Sequence, residues 1–321
     1  MTVVLVSRLS VTERPSGLPP HATKTRRTLL YHAYSLWLFT FSDLKTILVP
    51  KTAFGIITLL SGPVLTKSSW PGWLTIFRCL PLIMMWIWLN LLPLDMNNEH
   101  REDDVQEDKN NKPWRPIPAG RLSIEETKRL MLAGYIAAML GSAYLGALPE
   151  CLALIVQGWI YNELGAANGS YLTRNLLNAT GYMTFAAGAA KVACIHSGTT
   201  MQKGAYVWLM LLGMVIATTI QFQDLYDQKG DRARGRRTVP LVLGDGSARL
   251  SVELPVAVWS LLCPAFWRLS VQGFILPVVL GAVIIFRLFR YRDVSADKTS
   301  FKIWNAWVVV LYLLPFLKAI A

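Results

Sequence analysis

The sequence predicts an all-α integral membrane protein of about nine transmembrane helices. Hydrophobic residues make up 53% of its 321 positions and charged residues only 16%, a balance too apolar for an ordinary soluble domain. The apolar residues gather into stretches of roughly the length that crosses ~30 Å of hydrocarbon. Basic residues fall between those stretches and concentrate on alternate sides, as cytosolic retention of Lys and Arg requires.

In chain order, residues 1–27 are polar and basic and carry Pro15, Pro19 and Pro20, which predicts a disordered cytosolic tail. The apolar run from Thr2 to Val6 lacks a basic flank and is too short for a secretory signal. Residues 28–321 read as one transmembrane domain. Residues 29–42 are aromatic-rich but interrupted by His32 and Ser35, more an interfacial or re-entrant helix than a span. Spans are expected near 44–65, 72–94, 124–145, 148–166, 176–196, 205–223, 252–267, 274–289 and 303–320. With the tail in the cytosol, the loops on its side hold Arg101, Lys109, Lys112, Arg115, Arg121, Arg174, Lys229 through Arg237, Arg249, Arg290, Arg292, Lys298 and Lys302. The opposite loops hold Lys67, Lys203 and Arg268. That asymmetry supports the span count and places the carboxyl terminus on the far side.

The formal charge of +12 is scattered between apolar segments without a continuous basic patch, so a nucleic-acid partner is not expected. Cys79, Cys151, Cys194 and Cys263 lie in or beside apolar stretches with no metal-ligand spacing and read as small buried hydrophobes.

Two polar stretches interrupt this pattern. From Gln223 to Pro240 the chain reads Gln-Asp-Leu-Tyr-Asp-Gln-Lys-Gly-Asp-Arg-Ala-Arg-Gly-Arg-Arg-Thr-Val-Pro. On a continuing helix Asp224, Asp227 and Asp231 share one face, followed by Arg232, Arg234, Arg236 and Arg237. Alone, this reads equally as a solvated loop. Between residues 97 and 121 a second such stretch places Asp104 and Asp108 at i, i+4, after Asn97 and Asn98 and before Lys112, Arg115 and Arg121. Two acidic faces, each trailed by basic residues, suggest a diphosphate held through bridging Mg²⁺, which takes oxygen ligands from a few carboxylates, waters and phosphates.

An allylic diphosphate is stable until its leaving group is neutralised, and cations aimed at the developing charge lower the barrier to carbon–oxygen cleavage. Asp104, Asp108, Asp224, Asp227 and Asp231 are the expected metal ligands, and Lys112, Arg115, Arg236 and Arg237 the expected diphosphate ligands. If an acceptor meets the carbocation the enzyme is a prenyltransferase, whereas closure on its own distal double bond makes it a cyclase.

The stretch from Asp224 to Pro240 resembles the second signature of the UbiA superfamily of intramembrane prenyltransferases, DxxDxxxD followed by Gly, a basic residue, Thr and Pro. Asp108 through Gly120, with Asn-Lys-Pro-Trp-Arg-Pro-Ile-Pro-Ala-Gly, resembles the tail of the first. The resemblance implies a helical bundle around a central cavity, Mg²⁺ bridging both motifs, and a prenyl tail lying among the helices. One departure is His100, where the family usually carries Asn, and Asn97 or Asn98 is expected to serve instead. Asn-Lys-Pro-Trp-Arg-Pro with an altered motif start is similar to a fungal branch that includes membrane-bound terpene cyclases.

Other polar residues in apolar stretches are weighed against structural roles. Lys191, costly within a membrane unless it faces a wet cavity or a partner, is expected at the cavity rather than snorkelling. Asn162 and Glu163 contact substrate or cap a helix, and Asn175 and Asn178 polarise the cavity or bond between helices. Asp43 and Lys45 either join the site or pair at the interface, with pairing the preferred reading, and His32 and His196 are expected to be structural. Among Trp86, Trp88, Tyr161, Tyr182, Phe185 and Phe222, the two expected to shield a carbocation are Tyr161 and Phe222.

The resulting expectation is an Mg²⁺-dependent terpene cyclase acting on farnesyl diphosphate in fungal-type secondary metabolism, with prenyl transfer to an aromatic or polyketide-derived acceptor as the alternative. An ion-coupled transporter is disfavoured, because the acidic clusters sit at span ends rather than in broken mid-membrane helices. The expected location is the endoplasmic reticulum membrane with the site facing the cytosol. The expected partners are the bilayer, the isoprenyl diphosphate and other enzymes of the pathway.

Overall fold

The structure, a computed structural model, describes residues 27–321, so the expected tail lies outside the described residues apart from Arg27, which pairs with Glu126 at 2.6 Å. Among the described residues the chain is helical, with one isolated antiparallel bridge between Thr66 and Met201. Helix α1 (Leu29–Thr40) starts where the Thr28 side chain accepts from the Tyr31 backbone N–H. It leads through a 3₁₀ turn (Phe41–Asp43) and a π turn (Leu44–Leu48) into α2 (Val49–Leu60). The first expected span is therefore a broken helix, and its irregular turns bring Asp43 inward. Helix α3 (Trp73–Glu99) runs beyond its expected end and carries Asp95 and Asn97 within the helix.

Helix α4 (Glu102–Asn111) presents the first acidic stretch, with Glu102, Asp103 and Asp104 in its first turn, where carboxylates favour a helix N-terminus. Helix α5 (Ile124–Leu145) occupies the expected range because its ends are chemically marked. Ser123 and Glu126 form a reciprocal capping box, and Gly146 closes the helix at φ 83°, a left-handed turn that suits Gly. Next come α6 (Leu148–Asn162), the short α7 (Ala166–Gly169), α8 (Tyr171–His196) and α9 (Lys203–Thr219). A 3₁₀ turn (Ile220–Gln223) passes into α10 (Asp224–Ala233), which presents the second acidic stretch. The chain ends with α11 (Val239–Leu243), α12 (Asp245–Phe266), α13 (Val271–Arg290) and α14 (Val294–Ile320).

Helical structure forms in every stretch expected to span, but five segments are long and apolar enough to cross by length and composition: α3, the continuous Lys203–Ala233 run, α12, α13 and α14. The others fall short one by one for visible reasons. Helices α2 and α6 have 12 and 15 residues, α5 opens with Glu125, Glu126, Lys128 and Arg129, and α8 carries Arg174, Asn175, Asn178 and Lys191.

Helix α8 packs on α2, α3, α6 and α9, while α12, α13 and α14 form a sheaf that returns to α2. Small residues set these spacings. A Cβ on Gly188 would lie 2.0 Å from the Trp86 ring, and one on Gly55 would lie 3.0 Å from the Ala189 carbonyl oxygen. The fully buried Lys51 of α2 donates to the Tyr312 hydroxyl at 2.7 Å and lies 4.3 Å from the Tyr182 ring centre, tying α2 to α14 and α8. Outside, Leu74, Phe77, Leu140, Met210, Val271 and Phe289 are each more than half exposed. So much outward apolar surface suits lipid.

Candidate active site

The two acidic helices meet at one end of the bundle. Gly230 of α10 lies so close to α4 that a Cβ there would sit 2.6 Å from Asn111 Nδ2 and 3.1 Å from Glu107 Oε1. Beside them opens a cavity of about 310 Å³ whose mouth includes Asp104, Asp108, Asp227, Lys112, Arg115, Arg234 and Arg236. Its lining also includes Ile47, Leu91, Leu94, Leu154, Leu177 and Phe185, interleaved with polar Asp95, Gln157 and Asn178. Charged groups beside an apolar surface suit the two ends of a prenyl diphosphate.

The mouth is a lattice of carboxylates and guanidinium groups. Arg115 lies 3.0 Å from Glu99 and donates to Asp108 at 2.7 Å. Burial opposes the Arg115 charge, but Glu99 and Asp108 hold the guanidinium above its ordinary value. Arg234 spans Asp104 and Glu107, the latter at 3.0 Å, and so joins the segment after α10 to α4. Burial pushes the Asp104 carboxyl above its ordinary range, against the pull of Arg234 and Arg236. Arg236 donates to Asp231 at 2.9 Å. Arg174 donates to Asp224 Oδ1 at 3.2 and 3.3 Å and to the Tyr161 hydroxyl at 2.7 Å.

The residues fit an oxygen-seeking divalent cation. Asp224 Oδ2 and Asp231 Oδ2 are buried without a hydrogen-bond partner, although buried polar atoms are ordinarily paired. Among the described residues no three His, Cys, Asp or Glu side chains converge to hold a metal unaided. Mg²⁺ does not need such a cage, because it takes one or two carboxylates and completes its shell with waters and substrate phosphate.

Of the expected site residues, Asn98, Asp104, Asp108, Lys112, Arg115, Tyr161, Asn162, Asp227 and Arg236 line the cavity. Asp224 and Asp231 lie just behind, each held by an arginine. The remaining five are elsewhere. Asn97 is buried, its Oδ1 has no hydrogen-bond partner, and it is absent from the cavity lining. Arg121 braces α1, donating to Ser35 Oγ and the Tyr31 carbonyl at 3.1 Å each. Lys191 donates to Glu150 at 3.1 Å, so its charge is met by a carboxylate rather than by the cavity. Arg237 is exposed, and its backbone N–H donates to the Asn168 carbonyl at 3.1 Å. Phe222 is fully buried against Phe301, with ring centres 5.9 Å apart, because the 3₁₀ turn directs it to the core and Gln223 to the cavity. His100 turns back on α3, with Nδ1 3.1 Å from the Asn97 carbonyl oxygen.

Sequence reasoning passed over Asp95, Glu107 and Arg174 as cavity residues, named Arg234 only among the basic residues trailing the second acidic face, and preferred the interface for Asp43; all five line the cavity. Lys45, its expected partner, is exposed. Arg174 had a signal, since an arginine opening an apolar helix needs a partner, and Glu107 lies one turn after Asp104 on the same helical face. Tyr182 and Phe185, not Phe222, are the cavity aromatics beside Tyr161.

Residues 55–306 match the UbiA prenyltransferase family. Somaliensene A/B synthase of Streptomyces somaliensis is 27% identical over 301 residues, covering 89% of this chain and 94% of its own. Fumagillin beta-trans-bergamotene synthase of Aspergillus fumigatus is 26% identical over 283 residues, covering 88% and 91%. A polyprenyl transferase of Hericium erinaceus is 31% identical over 209 residues, covering 63% and 68%. Among solved structures, a UbiA homolog from Archaeoglobus fulgidus bound to GPP and Mg²⁺ shares the fold with a TM-score of 0.61 at 12% identity, covering 87% of this chain and 99% of that one. The chain belongs to the UbiA prenyltransferase family and is an enzyme of its prenyl-diphosphate chemistry, in which terpene cyclases and prenyltransferases both occur.

Proposed function

We propose that this protein is an Mg²⁺-dependent terpene cyclase that ionises farnesyl diphosphate and closes the resulting carbocation in secondary metabolism. The observation that carries the reading is the joining of both acidic stretches at the mouth of one apolar cavity. Bound Mg²⁺ would supply charge neutralisation of the leaving diphosphate. Asp104, Asp108 and Asp227 would hold it at the mouth, with the unpaired oxygens of Asp224 and Asp231 behind them. Lys112, Arg115, Arg234 and Arg236 bind the diphosphate oxygens and keep the leaving group oriented away from the cation. The inner leucines and Phe185 exclude water and fold the prenyl chain, while the Tyr161, Tyr182 and Phe185 rings stabilise positive charge.

Cyclisation is preferred because the likeness to the two named synthases extends over nearly the whole chain. The alternative, transfer to an aromatic or polyketide-derived acceptor, is supported by the polyprenyl transferase, whose likeness covers 63% of the chain. The remaining topology belongs to the same proposal: nine spans in the endoplasmic reticulum, with the mouth facing the cytosol.

The deciding experiment is hydrocarbon analysis of membranes containing the protein, supplied with farnesyl diphosphate and Mg²⁺ but no acceptor. A cyclic sesquiterpene is the expected result. Diphosphate release only after an aromatic acceptor is added would make the protein a transferase.

A further inference from the structure

The diphosphate machinery leaves two carboxyls in the cavity unused, Asp43 and Asp95, and Asp95 is the more deeply buried. Asp95 belongs to the membrane-spanning α3, is 5% exposed, and has no hydrogen-bond partner for Oδ2. It lines the cavity next to Leu94 and one helical turn after Leu91, opposite walls that include Leu154, Leu177 and Phe185. An acidic side chain inside a membrane helix is costly and marks a function by default. The nearby guanidinium does not absorb it, since Arg115 is directed to Glu99 and Asp108. Asp43, the other carboxyl on this side of the cavity, is less buried and already accepts from the Thr46 hydroxyl at 2.8 Å. Asp95 is thus a carboxyl with an unengaged oxygen among the side chains that would enclose the hydrocarbon.

We propose that Asp95 is the terminal base of the cyclisation, the group that removes the proton from the last carbocation. This rests on the cyclase reading. Ionisation breaks the allylic carbon–oxygen bond, and its electron pair leaves with the diphosphate. Ring closure spends a π pair of the distal double bond on a new carbon–carbon bond and moves the positive charge along the chain. In the final step a C–H bond beside the cationic carbon breaks, and its pair becomes the new double bond. The proton passes to the Asp95 carboxylate. The sum is one prenyl diphosphate converted to one olefin, one diphosphate and one proton, which the neutral acid returns to water through the cavity mouth.

The test assays wild type, Asp95→Asn, Asp95→Ala and Asp95→Glu with farnesyl diphosphate and Mg²⁺, measuring released diphosphate and the organic products separately. Monodispersity in detergent establishes folding, and whichever neutral variant is monodisperse decides. In it, diphosphate release persists while the wild-type olefin's share of product falls by about tenfold or more. Water-captured alcohols and olefins lost from earlier cations replace it. Asp95→Glu, which keeps a carboxylate, recovers part of the wild-type olefin. The proposal is overturned if the neutral variant makes the same olefin in the same proportion. It is equally overturned if that variant loses diphosphate release, which would place Asp95 in the ionisation machinery. A wild-type protein that makes no olefin without acceptor sinks the cyclase reading and this inference together, whereas the first two results sink only the role of Asp95.

Discussion

At the scale of single residues, the site is built on carboxylates, and guanidinium groups meet the charge of several of them. Arg174 is one of these groups. It is buried and donates to Asp224 Oδ1 and to the Tyr161 hydroxyl together. Arg174→Ala would leave the Asp224 charge uncompensated, at a cost of about 3–5 kcal/mol, so the variant should unfold at a clearly lower temperature in detergent. An unchanged melting temperature would show that the pair contributes nothing. His100 provides a contrast. The related motif usually has Asn at this position, but here the imidazole bonds main-chain carbonyls of its own helix and is absent from the cavity lining. His100→Asn should therefore alter diphosphate release by no more than a few-fold, and a large gain or loss would place position 100 in contact with substrate or metal.

At the scale of elements, the cavity exists because breaks in long helices turn polar side chains inward. The 3₁₀ turn before α10 separates an apolar span from an acidic helix, and the 3₁₀ turn that ends in Asp43, ahead of the π turn into α2, brings that carboxyl to the cavity. Close packing fixes the helices around it. Gly188→Ala would force a methyl group into the Trp86 ring, and overpacking of this kind costs about 1–3 kcal/mol. Thermal unfolding should show that loss, while an unaltered transition would mean that α3 and α8 can separate freely. Some of these elements were legible in sequence. The limits of α5 matched the expected span, and the structure marks them by the local chemistry of Ser123, Glu126 and Gly146. The two acidic faces followed from spacing alone. The burial of Phe222 was not legible, because a single 3₁₀ turn rotates it away from its neighbour Gln223. Nor was the contact of Arg234 with Asp104, which joins positions far apart in sequence and depends on how α4 meets α10. Lys191 was recognised as a charge needing a partner, but that Glu150 supplies it depends on the packing of α6 against α8.

At the scale of the whole molecule, the proposed topology places α4, α10 and the mouth on the cytosolic face and the turn between α2 and α3 on the other. All four native cysteines are buried, which leaves a low background for single-cysteine labelling. Lys229→Cys and Lys67→Cys both replace exposed side chains. In sealed microsomes, a membrane-impermeant thiol reagent should label the first directly and the second only after permeabilisation. Labelling of both, or of Lys67→Cys alone, would contradict the arrangement.

The most direct measurement is release of diphosphate from farnesyl diphosphate by purified protein as Mg²⁺ is titrated, comparing wild type with folded Asp108→Ala and Asp227→Ala. If carboxylates from both helices hold the metal against the leaving group, wild-type release requires Mg²⁺ and stops with a chelator. Each variant should then lose at least about a hundredfold in rate, the usual effect of removing one preorganised electrostatic contact. Near-normal release by either variant, or release that persists in the chelator, would contradict a metal-assisted ionisation site shared between α4 and α10.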